Sequence, residues 1–322
     1  MKAKVFCLLL LSIGVLCSCT KGNDYIEPQD PPIEQPEKPI IPDVPKESDI
    51  DTENIINIKI EDKIMAIVGN TNWKGITYGN GKYVAVGRNK IISSTDGINW
   101  ETIKEYEDKA FTDVAYGDGK FVAIENFASA LYSTNGIDWE QVNIPYQTYL
   151  TKIRFLNNEF VIVGDGGGSS VSTIMRSADG ISWNHKNYSS KYLSDIAFGE
   201  GIYLVSGHNA AYELSDEGGL TERPNASCIS KAIAYGNGKF VMVGKLGKIS
   251  SKYVNTHGWF ATKLGDISWN NVTYDNEKFI AIGTNGYITT STDGLTWTTP
   301  TQIKDGSNKI ITDNLQDICI FQ

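Results

Sequence analysis

Residues able to do chemistry are few in this chain, and their spacing narrows the choice. His185, His208 and His257 fall in no arrangement that would bring imidazoles onto one ion, so neither a metal site nor a cofactor is expected. Of the five cysteines, Cys7 and Cys17 lie in an N-terminal apolar run and Cys19 follows directly. Cys228 and Cys319 then offer at most one disulfide, and no C-x-x-C pair exists for metal or redox work. Glu125, Asp165 and several aspartates are available as acids or bases. Glycoside hydrolysis needs two carboxylates at a set separation, and the spacing here defines no such pair. No nucleophile elbow is present. Lys and Arg number 29 against 38 Asp and Glu, a formal charge of −9, which offers no basic track to phosphates and argues against a nucleic-acid partner.

The frame that must position these residues is a repeat. Ile76 to Trp100 reads ITYGNGKYVAVGRNKIISSTDGINW, and worn copies follow at Val114, Ile153, Ile196, Ile233 and Val272. A truncated copy, LQDICIF, closes the chain around Ile318. The anchors fall about 40 residues apart, the period of a four-stranded propeller blade. Each copy alternates apolar and polar residues with period two, the signature of strand. In the first copy strand a is expected over Gly75 to Tyr78, strand b over Tyr83 to Val86, strand c through Ile91 and Ile92, and strand d from Trp100. Gly-Asn-Gly between a and b supplies the positive φ of a tight hairpin.

Between strands c and d sits Ser94-Thr95-Asp96-Gly97-Ile98-Asn99-Trp100, with close copies at Ser133 to Trp139, Ser177 to Trp183 and Ser291 to Trp297. The side-chain oxygen of Asp96, Asn135, Asp179 or Asp293 can accept backbone N–H bonds. The glycine takes the left-handed conformation, and Trp100, Trp139, Trp183 or Trp297 covers the hairpin. This pattern resembles the Asp-box (bacterial neuraminidase) repeat of sialidases and related propellers, although it is one residue shorter than the usual S-x-D-x-G-x-x-W. Copies four and five are degraded, at Ser215 to Gly218 and Asn255 to Trp259. The resemblance spans residues 73 to 322 and implies a propeller fold. The box itself stiffens a turn and does no chemistry.

Residues 1–18 read as a signal peptide: a lysine-bearing start, then the apolar run Val5 to Leu16. The ending Leu16-Cys17-Ser18-Cys19 resembles a bacterial lipobox, implying cleavage before Cys19 and diacylation of its thiol; an ordinary secretory signal is the alternative. Two acyl chains anchor stably where one does not. Residues 19–53 then form a tether. Seven of the ten prolines lie there, with ten acidic residues against Lys21, Lys38 and Lys46, a composition that builds no core. The propeller is expected over 54–322, on the bacterial cell envelope as an outer-membrane lipoprotein, facing the periplasm or the outside, and monomeric.

Seven anchors favour seven blades, with six as the alternative. The last blade would be completed by Asn57 to Ile60 and Ile64 to Val68, so that both chain ends close the ring and remove the open edge. Trp73, Phe111, Leu150, Leu193, Trp269 and Leu315, three before the anchors, are expected in the core. So are Tyr78, Tyr116, Phe155, Phe198, Tyr235, Tyr274 and Ile320, two after them.

Strand parity puts the a–b turns and the c–d boxes on one face and the b–c and d–a loops on the other. The first face repeats within the chain and is scaffold; the second varies, and varied loops on a rigid frame carry binding. Candidates there are Arg88, Glu125, Asp165 and His208 from b–c loops and Tyr106, Tyr146, Tyr149, Tyr188 and Tyr192 from d–a loops. Tyrosine suits a sugar face or an extended peptide, with packing at the loop base as the alternative. Arg154, one past its anchor, stands where other copies carry small residues. It is expected to pair with a neighbouring carboxylate, because an unpaired buried guanidinium is costly, and a ligand anchor is the alternative.

The Asp-box resemblance brings sialidase as the enzymatic reading. That family clamps its substrate with three arginines and uses a Tyr/Glu pair with an acidic residue. This chain has Arg88, Arg154, Arg176 and Arg223 alone, Arg176 precedes a box on the scaffold face, and the family's early Arg-Ile-Pro motif is absent. Sialidase activity is not expected. A non-catalytic envelope protein binding glycan or polypeptide on its varied face is the favoured function. Assembly is the second, as in the similar propellers that assist photosystem II assembly, whose arginine-rich surface has no counterpart here. A glycoside hydrolase of another type is the third.

Overall fold

The computed structural model describes residues 64–68, 72–127, 129–146, 148–165, 171–208, 210–223, 226, 229–275, 277–305 and 308–320, all within one compact unit, Glu47–Gln322. The expected signal segment 1–18, the lipid site Cys19, the tether 19–53, the strand at Asn57 to Ile60 and Cys228 lie outside the described residues.

The protein is an all-β propeller. Strand β1 (Ile64–Val68) is followed by β2 (Trp73–Gly79), β3 (Lys82–Ser94), β4 (Glu101–Gly117), β5 (Lys120–Glu125), β6 (Ser129–Ser133) and β7 (Glu140–Asn143). The third copy of the repeat makes β8 (Tyr149–Leu156), β9 (Glu159–Asp165), β10 (Val171–Ser177) and β11 (Asn184–Ser189). The fourth makes β12 (Leu193–Gly199), β13 (Ile202–Gly207), β14 (Ala211–Leu214) and β15 (Leu220–Arg223). The fifth makes β16 (Ser230–Gly236), β17 (Lys239–Gly244), β18 (Lys248–Tyr253) and β19 (Phe260–Lys263). The sixth makes β20 (Trp269–Asp275), β21 (Lys278–Gly283), β22 (Tyr287–Ser291) and β23 (Thr301–Gln302), and β24 (Leu315–Ile320) ends the chain.

Seven four-stranded blades, or six, are not what forms. Four sheets have four strands, the first two copies run together as one six-stranded sheet β2–β7, and β1 pairs with β24 alone. Five sheets therefore carry four strands or more. The merger has a local cause. β3 runs unbroken through what were expected as strands b and c, and β4 through strand d and the next strand a, so one hydrogen-bonded sheet crosses the boundary between copies. Trp100 stands just ahead of β4 rather than inside it. Among the described residues, β24 pairs with β1.

Packing between neighbours follows the repeat. Trp73, Phe111, Leu150, Leu193, Trp269 and Leu315 are buried. The aromatics two past the anchor seat against a glycine of the preceding copy. A Cβ on Gly79, Gly117, Gly199 or Gly236 would come within 2.0–2.2 Å of the ring of Tyr116, Phe155, Tyr235 or Tyr274. One copy's missing side chain is thus the next copy's socket.

A further regularity concerns the strand that opens each copy. In all seven its register slips by one residue, two before the anchor: at Lys74, Thr112, Thr151, Ser194, Lys231, Asn270 and Gln316. A β-bulge leaves its extra residue unpaired and re-aims that side chain.

Candidate binding face and axial mouth

The two faces are built differently. On the scaffold face the four box turns share one pattern of side-chain to backbone hydrogen bonds. Asp179 Oδ1 accepts from the N–H groups of Ile181 (2.8 Å) and Ser182 (2.7 Å) and from Ser177 Oγ (2.9 Å). These donors, the Ser182 N–H foremost, hold its carboxyl down to about 2. Asp96, Asn135 and Asp293 accept in the same way. The a–b turns lie beside these boxes: Asn80 Nδ2 donates to Thr134 O and Asn237 Nδ2 to Thr292 O.

On the opposite face the b–c loops are clasped to the start of their own copy by one recurring backbone bond. The N–H of Arg88, Asn126, His208, Lys245 and Thr284 donates to the carbonyl of Asn72, Ala110, Tyr192, Ile229 and Ser268 respectively. Each acceptor sits four residues before an anchor. The main chain is pinned and the side chains at the loop tips are free to differ.

The structure distributes the expected site residues unevenly over this face. Tyr192 (51% exposed) meets exposed His208 edge-on at 5.8 Å between ring centres. Tyr149 packs on Phe127 at 4.4 Å, and Phe127, 61% exposed, is an aromatic that strand parity alone did not single out. Tyr146 stacks on His185 and leans on the core of the third copy. Tyr106 packs edge-on against buried Phe111. Tyr188 lies in the outer strand β11, and its hydroxyl donates to Gly218 O (2.8 Å) in the next copy's c–d turn. Those last three tyrosines are packed rather than presented, so the five do not form one platform. Arg88 is exposed. Glu125 is buried and held by Lys109 Nζ (2.5 Å) and Ser129 Oγ (2.8 Å).

Around the axis, aspartates one before the anchor latch neighbouring copies. Asp113 Oδ2 accepts the Ile153 N–H (3.0 Å), Asp195 Oδ2 the Ile233 N–H (3.3 Å) and Asp317 Oδ2 the Ile76 N–H (2.9 Å). The third bond joins the end of the chain to the first copy. Two cations sit among these carboxylates. Arg154 reaches Asp195 at 2.9 Å and Asp113 at 3.5 Å, and Lys152 Nζ stands 3.7 Å from both Asp113 and Asp317. Burial pushes Asp113 up to about 6, against the pull of Lys152. Burial also opposes the charges on Lys152 and Arg154, but the surrounding aspartates prevail and raise both. Cys319 is a buried free thiol whose pKa burial drives up, so it is no nucleophile.

Above this network, on the varied face, a cavity of about 320 Å³ opens. All seven bulge residues line it, together with Lys152, Asp165, Leu193 and Ser230. Asp165 is the one carboxylate among the described lining residues. Thr112, Thr151 and Ser194 are tied to backbone carbonyls, Lys231 Nζ to Asn270 Oδ1 (2.5 Å), and Asn270 Nδ2 to Leu315 O (2.8 Å). A signal for this ring was present in the sequence: the residue two before the anchor is polar in every copy. Among the described residues, no group of three or more His, Cys, Asp and Glu side chains is placed to hold a metal ion.

No protein-family model matches the chain, and no curated protein does. Solved structures do. Virginiamycin B lyase from Staphylococcus aureus is 16% identical with a TM-score of 0.64, over 81% of this chain and 99% of that one. YCF48 bound to D1 peptide is 15% identical with a TM-score of 0.58, over 76% and 86%. PorZ, a surface component of the type-IX secretion system of Porphyromonas gingivalis, is 11% identical with a TM-score of 0.54, over 74% of this chain but 34% of its own. At these identities the likeness is one of fold, and the fold is a β-propeller.

Proposed function

We propose that the protein is a lipid-anchored envelope propeller that binds a polypeptide on the face made by its b–c and d–a loops. The supporting observation is the asymmetry between faces: the four box turns repeat one set of internal backbone hydrogen bonds on one rim, while the clasped loops of the other leave Phe127, Tyr192, His208 and Arg88 outward. Aromatic residues and arginine are the residue types enriched in interface hot spots. Two of the similar folds point the same way, one solved with a peptide and one a secretion-system component. The anchor is the lipid on Cys19, the tether is 19–53, and the outer membrane is the location.

Photo-crosslinking amino acids at Phe127 and Tyr192, with Ile137 on the box face as control, test this in cells. A polypeptide should crosslink from the first two positions and not from Ile137. Capture from Ile137 alone, or glycan rather than polypeptide on the varied face, would refute it. Cys19→Ala should abolish incorporation of an alkyne-tagged fatty acid.

A further inference from the structure

The bulge ring is polar throughout but not evenly charged. Lys74 and Lys231 project from it, Lys152 rises from the floor, and Asp165 alone opposes them among the described lining residues. Lys152 is already shared between Asp113 and Asp317. Lys74, half-buried, is paired with no carboxylate among the described residues. Lys231 Nζ donates to the neutral Asn270 Oδ1 and, among the described residues, meets no carboxylate at ion-pair distance. Half-burial and the positive charge of nearby Lys245 hold the Lys231 ammonium below the ordinary lysine range. A chain of net charge −9 has thus gathered three lysines against one aspartate among the described residues lining the axial mouth.

We infer that this mouth is an anion subsite that takes an acidic side chain of the bound polypeptide, its carboxylate between Lys74 and Lys231. About 320 Å³ lies at the small end of ligand pockets and admits one side chain rather than a folded surface. The ammonium groups supply the charge-assisted bonds, and the hydroxyl and amide groups of Thr112, Thr151, Ser194 and Asn270 line the approach. The bulge makes the arrangement possible, because a regular strand would pair this residue and turn its side chain elsewhere. The inference rests on the polypeptide reading of this face and names the chemistry it selects.

The test is calorimetric titration of the full chain at low salt with oligoglutamate, and with oligoglutamine as the uncharged equivalent. Carbon-13 lysine spectra of the same mixtures locate the contact. Oligoglutamate should bind saturably, shift the Lys74 and Lys231 signals, and weaken as salt is raised. The Lys74→Ala/Lys231→Ala pair should bind at least about tenfold less tightly, the loss expected for charge-assisted bonds. Equal binding of oligoglutamine to wild-type protein would overturn the inference without recourse to any variant. So would lysine signals that do not move, or tighter binding of an oligogalacturonate than of oligoglutamate. Crosslinking of a polypeptide from Phe127 without any oligoglutamate affinity would remove the subsite while leaving the binding face in place.

Discussion

Asp317→Ala should unlatch the ring where the chain ends meet. The Ile76 N–H donates to Asp317 Oδ2 at 2.9 Å, and the Asn271 amide donates to Oδ1. Both donors are buried, Ile76 at 4% and Asn271 at 2% exposure. Alanine leaves each without this acceptor, at about 1–3 kcal/mol apiece. Lys152 also loses one of its two carboxylates. Part is returned, because a desolvated charge disappears and Asp317 no longer repels Asp113. A net loss of about 3 kcal/mol is expected, a fall of roughly 1 M in the urea midpoint at a slope near 3 kcal/mol/M. Urea unfolding followed by tryptophan fluorescence measures it, with Trp73 and Trp269 as buried reporters. Hydrogen exchange should place the change at the Ile76 amide and along β1 and β24. An unchanged midpoint with the Ile76 amide still protected would show that Asp317 does not hold the ring shut.

Asp113 titrates in the opposite sense to a usual ion-paired carboxylate. Its folded pKa, about 6, lies above the unfolded value near 4, so its contribution to stability is complete below about pH 4 and is lost as pH rises through 6. Asp113→Asn, which keeps an acceptor for the Ile153 N–H, should gain on wild type in urea midpoint as pH is raised from 4.5 to 7. Asp179 behaves conversely: its folded pKa, near 2, means that its turn stabilises above about pH 4 and weakens as pH falls toward 2. Asp179→Ala should flatten the acid limb of the unfolding curve. At Gly117 a Cβ would lie 2.0 Å from the Phe155 ring, so Gly117→Ala should cost about 2 kcal/mol or more in urea unfolding, and Phe155→Leu on that background should recover part of it.

What could be read from the sequence, and what could not, divides along local and non-local lines. The period, the strands and the assignment of turns to faces follow from residues within one copy, and Trp73, Phe111 and Leu150 are buried as the pattern demands. The fate of the tyrosines does not follow, because it depends on the neighbouring copy: Tyr188 is taken by Gly218 and Tyr106 by Phe111. The division into sheets misled for a similar reason. Whether β3 and β4 break is settled by hydrogen bonding across a boundary that the sequence marks only as a loop. Alternation also misassigns the residue two before the anchor. Period two treats it as an ordinary strand position, whereas the bulge takes it out of register in every copy.

That bulge couples stability and binding at the axis. The residue after it, one before the anchor, carries the latch aspartates Asp113, Asp195 and Asp317; the bulged residue carries Lys74, Lys231 and the ring of hydroxyls and amides. Successive residues of the same strand therefore face different tasks: one closes the ring, the other lines the mouth. Lys152 joins them, since it is at once the floor of the cavity and the partner of Asp113 and Asp317. A carboxylate arriving at the mouth adds a third anion near that lysine and leaves less of its charge to offset the latches. Raising the Asp113 pKa further is the necessary counterpart. Occupancy of the mouth by oligoglutamate should consequently move the Asp113 titration above 6 and should take up protons near that pH. Asp113→Asn should remove that uptake while preserving the lysine contacts. Binding that leaves the proton balance of wild-type protein unchanged near pH 6 would show that latch and mouth are electrically separate.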